Sequence, residues 1–321
     1  MTVNQSKISV FAPVSIGNVS VGFDNLGLAV APVDGTLLGD IVSAELAING
    51  QKDQLINQGA YQNILPTNKE DNLVWYCLLE FNQALKQIGQ VPQVLQLTLE
   101  KNIPICSGLG SSACSVVAGL TALNEFYNKP FSDQQLLTMM GTLEGKMSGS
   151  IHYDNVAPCY LGGMQLMIDD GQNVCHSIPL FDDCYWVIGF PNIEISTKMA
   201  REILPKQYAR ADLIAYGSHL AGFIAACYAK NKQQAFALMK DFVAEPYRKG
   251  LLDNFETTQQ KLLKLGVLAQ GISGSGPTIF AVTDNLLQAE KIKQLFDQFY
   301  CLNENSFSHI CKADQQGARV L

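Results

Sequence analysis

Residues 104–113 read PICSGLGSSA. Two glycines flank a leucine, two serines follow, and an apolar, small-residue run continues from Ala113 to Leu123. A glycine-rich turn feeding directly into a helix has a definite physical use. Glycine lets the backbone approach a ligand closely and reach left-handed φ. The first helical turn leaves about four N–H groups without intrahelical acceptors, and the helix dipole favours negative charge there. Such a turn takes an anion, most commonly phosphate. The alternative is an ordinary strand-to-helix turn whose glycines serve tight packing alone.

Around this turn the periodicity is mixed. Residues 94–100, VLQLTLE, alternate with period two and predict the strand before it. A helix is predicted over 112–127, stopped by Asn128, Lys129 and Pro130, and Ser132 is a suitable N-cap for a helix over 133–146. Upstream, strands are expected at 7–16, 26–33 and 41–48, and Leu73, Val74, Cys77, Leu78, Phe81 and Leu85 place a helix over 71–87. Downstream, 157–168 reads as a buried strand kinked at Gly162-Gly163, 169–171 as a turn, and 185–190, 267–272 and 278–283 as strands. Helical patterns cover 211–229, 233–243, 255–265 and 286–299. Strands and helices without strict alternation predict an α+β fold. A boundary near 170 would divide a nucleotide-binding part, 1–170, from a part completing the substrate site, 171–321.

Bulk properties bound the function. The chain has 321 residues, enough for two domains, with 47% hydrophobic and 16% charged residues, so it can bury a substantial core. Its formal net charge of −7 argues against nucleic-acid or membrane-surface partners, which call for a basic patch. Nine cysteines include no C-x-x-C pair, as expected of reduced, mostly buried thiols in a cytoplasmic protein. His309 with Cys311, or Cys175 with His176, lack further partners at zinc-ligand spacing. The first residues do not form a signal peptide, and the apolar window 220–229 is about half the length that spans a bilayer.

Common phosphate motifs can be tested against the turn. The P-loop needs a lysine that residues 108–112 do not supply. Residues 108–113, GLGSSA, match the alanine form of the dinucleotide fingerprint, but no strand-borne acid follows about twenty residues on. Protein-kinase signatures are absent from the sequence.

The remaining pattern, P-x-x-x-G-L-G-S-S-A, resembles the central motif of the GHMP kinase superfamily, which phosphorylates galactose, homoserine, mevalonate and phosphomevalonate. Other segments occur in family order: PVSIGNVSVGFDNLG at 13–27 and GISGSGP at 271–277. GSIHYDNVAP at 149–158, STKMAREILP at 196–205 and EPYRKGLLDNF at 245–255, together with GFDNLG, are similar to the homoserine kinase branch. The resemblance implies two domains. The N-terminal one is like the second domain of ribosomal protein S5, with a left-handed β-α-β unit, and the C-terminal one is ferredoxin-like. It also implies ATP and Mg²⁺ as cofactors, L-homoserine as substrate for threonine synthesis, and a homodimer.

Site residues follow from the same resemblance. Pro104, Ser107, Gly108, Leu109, Gly110, Ser111, Ser112 and Ala113 would cradle the nucleotide phosphates. Lys101 would neutralise them, unless it is a surface lysine, and Asn72 would border adenine, unless it is only a cap. Ser112 and Glu144 would ligate Mg²⁺, an oxygen-seeking ion; otherwise they are a helix cap and a solvated glutamate. Arg201 and Arg248 would clamp the substrate carboxylate through planar forks. Asp24 would pair the ammonium, with Asn18, His152, Asp154 and Thr197 completing the pocket. Asn18 and Asp24 sit beside glycines and could equally be turn residues, and His152 could be structural. Eleven residues after Glu144, where other members place an aspartate as candidate base, stands Asn155. An amide cannot act as a general base. Asn155 would therefore orient the hydroxyl while the proton leaves late, toward a phosphate oxygen. Two other readings remain: a kinase for mevalonate or a sugar, and a non-catalytic ligand sensor.

Overall fold

The computed structural model describes residues 7–48, 52–148, 151–168 and 173–321; the expected turn at 169–171 lies outside them. The chain opens with β1 (Ile8–Pro13) and β2 (Ser15–Gly17), continues through β3 (Leu26–Pro32) and returns along β4 (Gly39–Leu46). β5 (Gln54–Gln58), α1 (Leu73–Gln87) and β6 (Leu95–Glu100) form a β-α-β unit whose two strands pair in parallel. Helices α2 (Ser111–Phe126), α3 (Asp133–Ser148) and α4 (Val156–Leu161) follow. β7 (Met164–Met167), β8 (Cys175–Ile178) and β9 (Tyr185–Phe190) lead to α5 (Thr197–Glu202) and α6 (Arg210–Tyr228). After α7 (Lys232–Leu238), α8 (Glu245–Arg248) and α9 (Phe255–Leu265) come β10 (Ala269–Ile272) and β11 (Ile279–Thr283). The chain then forms α10 (Leu286–Phe299), β12 (Phe307–Ala313) and β13 (Arg319–Val320).

Two sheets result, and the architecture is α+β. One is five-stranded, in the order β13-β1-β4-β6-β5. The other is eight-stranded, β10-β11-β9-β12-β3-β7-β8 with β2 paired to β3. Residue 170 falls between β7 and β8, which pair antiparallel from Met164 with Ile178 to Met167 with Cys175. A division there cuts a hairpin. β3 lies between β12 and β7, and β13 returns to pair with β1, so both halves of the chain share sheets.

The helix behind the glycine-rich turn is the centre of the molecule. Every residue of α2 except Ser112 and Glu125 is buried. A helix that is apolar all round must be enclosed, and α2 packs against β1, β4, α1, α3 and α4. Strand β6 buries Leu95, Leu97 and Leu99, the period-two set of its sequence. Helix α1 buries Val74, Trp75, Cys77, Leu78, Phe81 and Leu85, a stripe at helical spacing. Ser132 accepts from the Gln135 amide at 3.4 Å while Gln135 accepts from the Ser132 amide at 2.9 Å, a capping box at the start of α3.

Two expectations are corrected. Residues 157–168 are not one strand: α4 comes first, with Val156, Ala157, Pro158 and Cys159 buried, and β7 follows. A short buried apolar run does not distinguish helix from strand by periodicity. The two glycines are the helix stop, not a strand kink, since Gly162 at φ 77° is the C-cap of α4. Helix α7 ends at Leu238 rather than 243. Asp241 draws the next segment away by accepting from the amides of Val243, Ala244 and Glu245 at 2.7, 2.8 and 3.0 Å, which holds the turn leading into α8.

Among the described residues no helix is long and apolar enough to cross a membrane. Because α2 is enclosed on all sides, Leu120→Ala, at a position with 0% exposure, should cost about 2–5 kcal/mol. Urea unfolding would read this as a lowered midpoint at unchanged slope, and an unchanged midpoint would contradict the central placement of α2.

Candidate active site

The turn between β6 and α2 is held from two sides. The hydroxyl of Thr278 donates to the Ser107 carbonyl at 2.7 Å, and that of Ser273 donates to the Gly108 carbonyl at 2.6 Å. The amide of Ser15 donates to the Leu109 carbonyl at 3.1 Å. The carbonyls of 107–109 are thus occupied by neighbouring segments, and the first-turn amides of α2 are left as the donors a ligand meets. Gly110, the N-cap, is left-handed at φ 66°. A Cβ there would strike the Ser15 hydroxyl and come within 2.9 Å of Asn155 Oδ1. Asn155 therefore sits directly against the loop, accepting from the Ser15 hydroxyl at 2.9 Å.

Lys101 lies behind the loop and is buried. Its ammonium donates to the Asp40 carboxylate, to the Ser111 carbonyl at 2.9 Å and to the Ser115 hydroxyl at 3.1 Å. All three N–H bonds are used internally, so Lys101 is neither a surface lysine nor a direct phosphate ligand. Asp40, 0% exposed, also accepts from the Ser115 hydroxyl at 2.6 Å and from the amides of Asn102 and Ile103 at 2.9 and 3.2 Å. Asn72 is buried and is the cap of α1: its Oδ1 accepts from the Val74 amide at 2.9 Å, and its Nδ2 donates to Asn57 at 3.2 Å.

Ser112 is the partly open residue in the first turn of α2, and its hydroxyl is hydrogen-bonded to Glu144 of α3. Burial raises the Glu144 carboxyl above its ordinary value, opposed by that bond and by the charge of Lys101. A hydroxyl and an enclosed carboxylate at the mouth of an anion-binding turn form an all-oxygen donor pair that fits a hard divalent cation.

On the other side of Asn155 the segment after β2 is bent tightly. Asn18, Val19, Ser20 and Asp24 have φ of 66°, 48°, 55° and 57°. Left-handed φ at a β-branched valine is strained, and such strain persists only where surrounding bonds enforce it. Here they are visible. Asn18 donates to the Gly274 carbonyl at 3.0 Å and accepts from the Asp24 amide at 2.9 Å, while the Gly274 amide donates to the Gly17 carbonyl at 3.0 Å. The Gly274 carbonyl also accepts from Arg248 Nη1 at 2.9 Å, and Arg248 Nε donates to the Ala200 carbonyl at 3.0 Å.

Arg201, on α5, meets Asp24 through two parallel bonds of 2.7 and 3.1 Å. The ring of Phe23 lies against both guanidinium groups, 5.7 Å from Arg201 and 5.4 Å from Arg248. His152 Nδ1 stands 3.7 Å from Asp24. Burial holds the His152 imidazole below its ordinary value, against the opposing pull of Asp24. Asp154 is buried, and its carboxyl is pushed up to about 7, first by burial and then by the charge of Asp24. Its Oδ2 accepts from Asn155 Nδ2 at 3.3 Å. Thr197 opens α5, exposed, one turn before Arg201, and Ser196 caps that helix by accepting from the Met199 amide at 3.1 Å.

The fold thus brings Asn18, Asp24, His152, Asp154, Asn155, Arg201 and Arg248 together beside the loop, with Ser112 and Glu144 at its mouth. Lys101 and Asn72 do not join them. Sequence reasoning missed Asp40, Ser15, Phe23, Ser273 and Thr278. The strand GDIVSAEL also carries Ser43 and Glu45, so its pattern offers little signal for Asp40; once buried, such an acid needs a cation.

Comparison with known proteins bears on the family and the fold. The family model for the GHMP kinases N terminal domain matches residues 72–163, and that for GHMP kinases C terminal matches 223–300. Among solved structures, a homoserine kinase from Cytophaga hutchinsonii is 33% identical, with all of this chain and 99% of that chain covered at a TM-score of 0.89. The phosphomevalonate kinase of Streptococcus pneumoniae is 12% identical, covering 96% and 99% at a TM-score of 0.69. The mevalonate kinase of Methanococcus jannaschii is 14% identical, covering 98% and 99% at 0.68. The last two share the fold.

Removing the charge of Asp40 leaves Lys101 buried without a counter-ion beneath the loop. Asp40→Asn should lower stability by about 3–5 kcal/mol and weaken nucleotide binding. Denaturation midpoints and calorimetric titration with an ATP analogue measure both, and a variant as stable and as tight as the parent would contradict this support.

Proposed function

This chain belongs to the GHMP kinase family and is a phosphotransferase, and we propose that it transfers the γ-phosphoryl group of ATP to the side-chain hydroxyl of L-homoserine, a step that feeds threonine synthesis. The observation that carries the reading is the joint placement of Asp24, Arg201 and Arg248 next to Asn155 at the edge of the phosphate loop. Two guanidinium groups and a carboxylate match the carboxylate and ammonium of an α-amino acid. The relative that is 33% identical over its full length is a homoserine kinase, which supports the same substrate.

The loop amides and the dipole of α2 would receive the nucleotide phosphates. Ser112 and Glu144 would hold Mg²⁺, which when bound neutralises phosphate charge. Arg201 and Arg248 would fix the substrate carboxylate, and Asp24 with Asp154 the ammonium. Asn155 would orient the hydroxyl toward the loop. The hydroxyl oxygen then bonds to the γ-phosphorus as the bond to ADP breaks, and its proton passes to a γ-phosphoryl oxygen. Positioning and charge neutralisation supply most of the acceleration in such transfers.

ADP release measured with homoserine, mevalonate and galactose tests the assignment. Homoserine alone should support turnover. Preference for another alcohol, or tight nucleotide binding without any turnover, would replace the reading by a different kinase or by a sensor.

Asp154 adds a pH signature. Below about 7 its carboxyl is protonated, and above that it is anionic. KM for homoserine should therefore fall as pH rises through about 7, while kcat at saturation stays flat, and Asp154→Asn should abolish the trend in KM. A limb in kcat that disappears in Asp154→Asn would make this carboxylate the base and overturn the baseless transfer.

A further inference from the structure

The two charges that would recognise the substrate are already occupied by each other. Asp24 and Arg201 form a two-bond ion pair whose side chains are each 28% exposed, so the pair is partly open to solvent. Arg201 Nε is buried and has no acceptor among the described residues. The guanidinium therefore has a donor still to satisfy after pairing with Asp24. Arg248 spends Nε and Nη1 on backbone carbonyls, and Phe23 packs against both guanidinium groups. Arg201 sits on α5 against Phe23, and the backbone amide of Asp24 is held by Asn18.

We propose that the Asp24–Arg201 pair mimics a zwitterion, and that exchange of this pair for both charges of an α-amino acid, rather than affinity for either charge alone, selects the substrate. The inference rests on the reading of the substrate as a zwitterionic amino alcohol. A zwitterion replaces one internal ion pair by two: its carboxylate takes Arg201 and its ammonium takes Asp24. A ligand bearing only the carboxylate takes Arg201 and leaves Asp24 facing only His152, whose imidazole is held by burial below its ordinary value, with Asp154 and the ligand's own charge close by. A ligand bearing only the ammonium strands Arg201 instead. Leaving one member of a partly enclosed pair uncompensated is costly. The filter therefore acts against half-matching alcohols without any steric barrier.

The consequence is a gain of binding on removal of a binding residue. Asparagine tolerates left-handed φ, so Asp24→Asn fits the backbone at φ 57°; an unchanged melting curve and unchanged ATP-analogue binding verify the fold. Calorimetric titration in the presence of the ATP analogue then compares L-homoserine, 4-hydroxybutyrate and 3-aminopropan-1-ol. Asp24→Asn should bind 4-hydroxybutyrate about tenfold tighter than the parent does and L-homoserine more weakly. Arg201→Gln is the mirror variant, expected to bind 3-aminopropan-1-ol tighter than the parent. Unchanged or weaker binding of the half-ligands in both variants overturns the exchange. Turnover of homoserine by the parent protein separates the two failures. Without turnover the substrate reading falls and the inference with it, whereas turnover without tighter half-ligand binding overturns the inference alone.

Discussion

The carboxylate of Asp40 is the point on which the phosphate loop depends. It gathers the ammonium of Lys101, the hydroxyl of Ser115 and the amides of Asn102 and Ile103. Those donors belong to the end of β6, the start of the loop and the first turns of α2. One buried charge on β4 therefore fixes the distance between strand and helix over which the loop is stretched. A buried carboxylate is tolerable only because every approach to it is a donor. The same arrangement places a positive charge behind the N-terminus of α2, where Lys101 also accepts duty as a donor to the Ser111 carbonyl.

A second convergence completes the site from the far end of the chain. The Gly274 carbonyl accepts from Asn18 and Arg248, the Gly274 amide donates to Gly17, and Ser273 and Thr278 hold the loop carbonyls. The glycine-rich segment at 271–277 is thus a clasp between the 104–113 turn and the segment from Gly17 to Asp24. Its presence explains how the strained segment from Asn18 to Asp24 is maintained. Burial and hydrogen bonding from three directions offset the unfavourable φ values.

Much of this was legible in residue order. The period-two run before the loop, the apolar run after it and the caps at Asn72 and Ser132 are local signals, and each element formed where its pattern lies. The segment 157–168 was misread because a short buried apolar run carries no period that separates helix from strand. Lys101 was misplaced for a different reason. A lysine at a strand end next to a phosphate loop suits an exposed phosphate ligand, and only the neighbouring strand reveals Asp40 across from it. The residues Ser15, Phe23, Ser273 and Thr278 carry no chemical signature of their own; they matter through what they touch.

The sequence by itself determined the glycine-rich turn, the enclosed helix behind it, the order of the motif segments and the identity of the charged groups that gather beside the turn. These follow from spacing over one or two turns of chain, where residues a few positions apart are necessarily neighbours. Only the tertiary structure decided which charges meet. Lys101 and Asp40 are 61 residues apart and Arg201 and Asp24 are 177 apart. Pairings of that kind depend on strand register and helix packing, which bring together side chains that no local period relates. That is why the pairing of Asp24 with Arg201 could be read only from the folded chain.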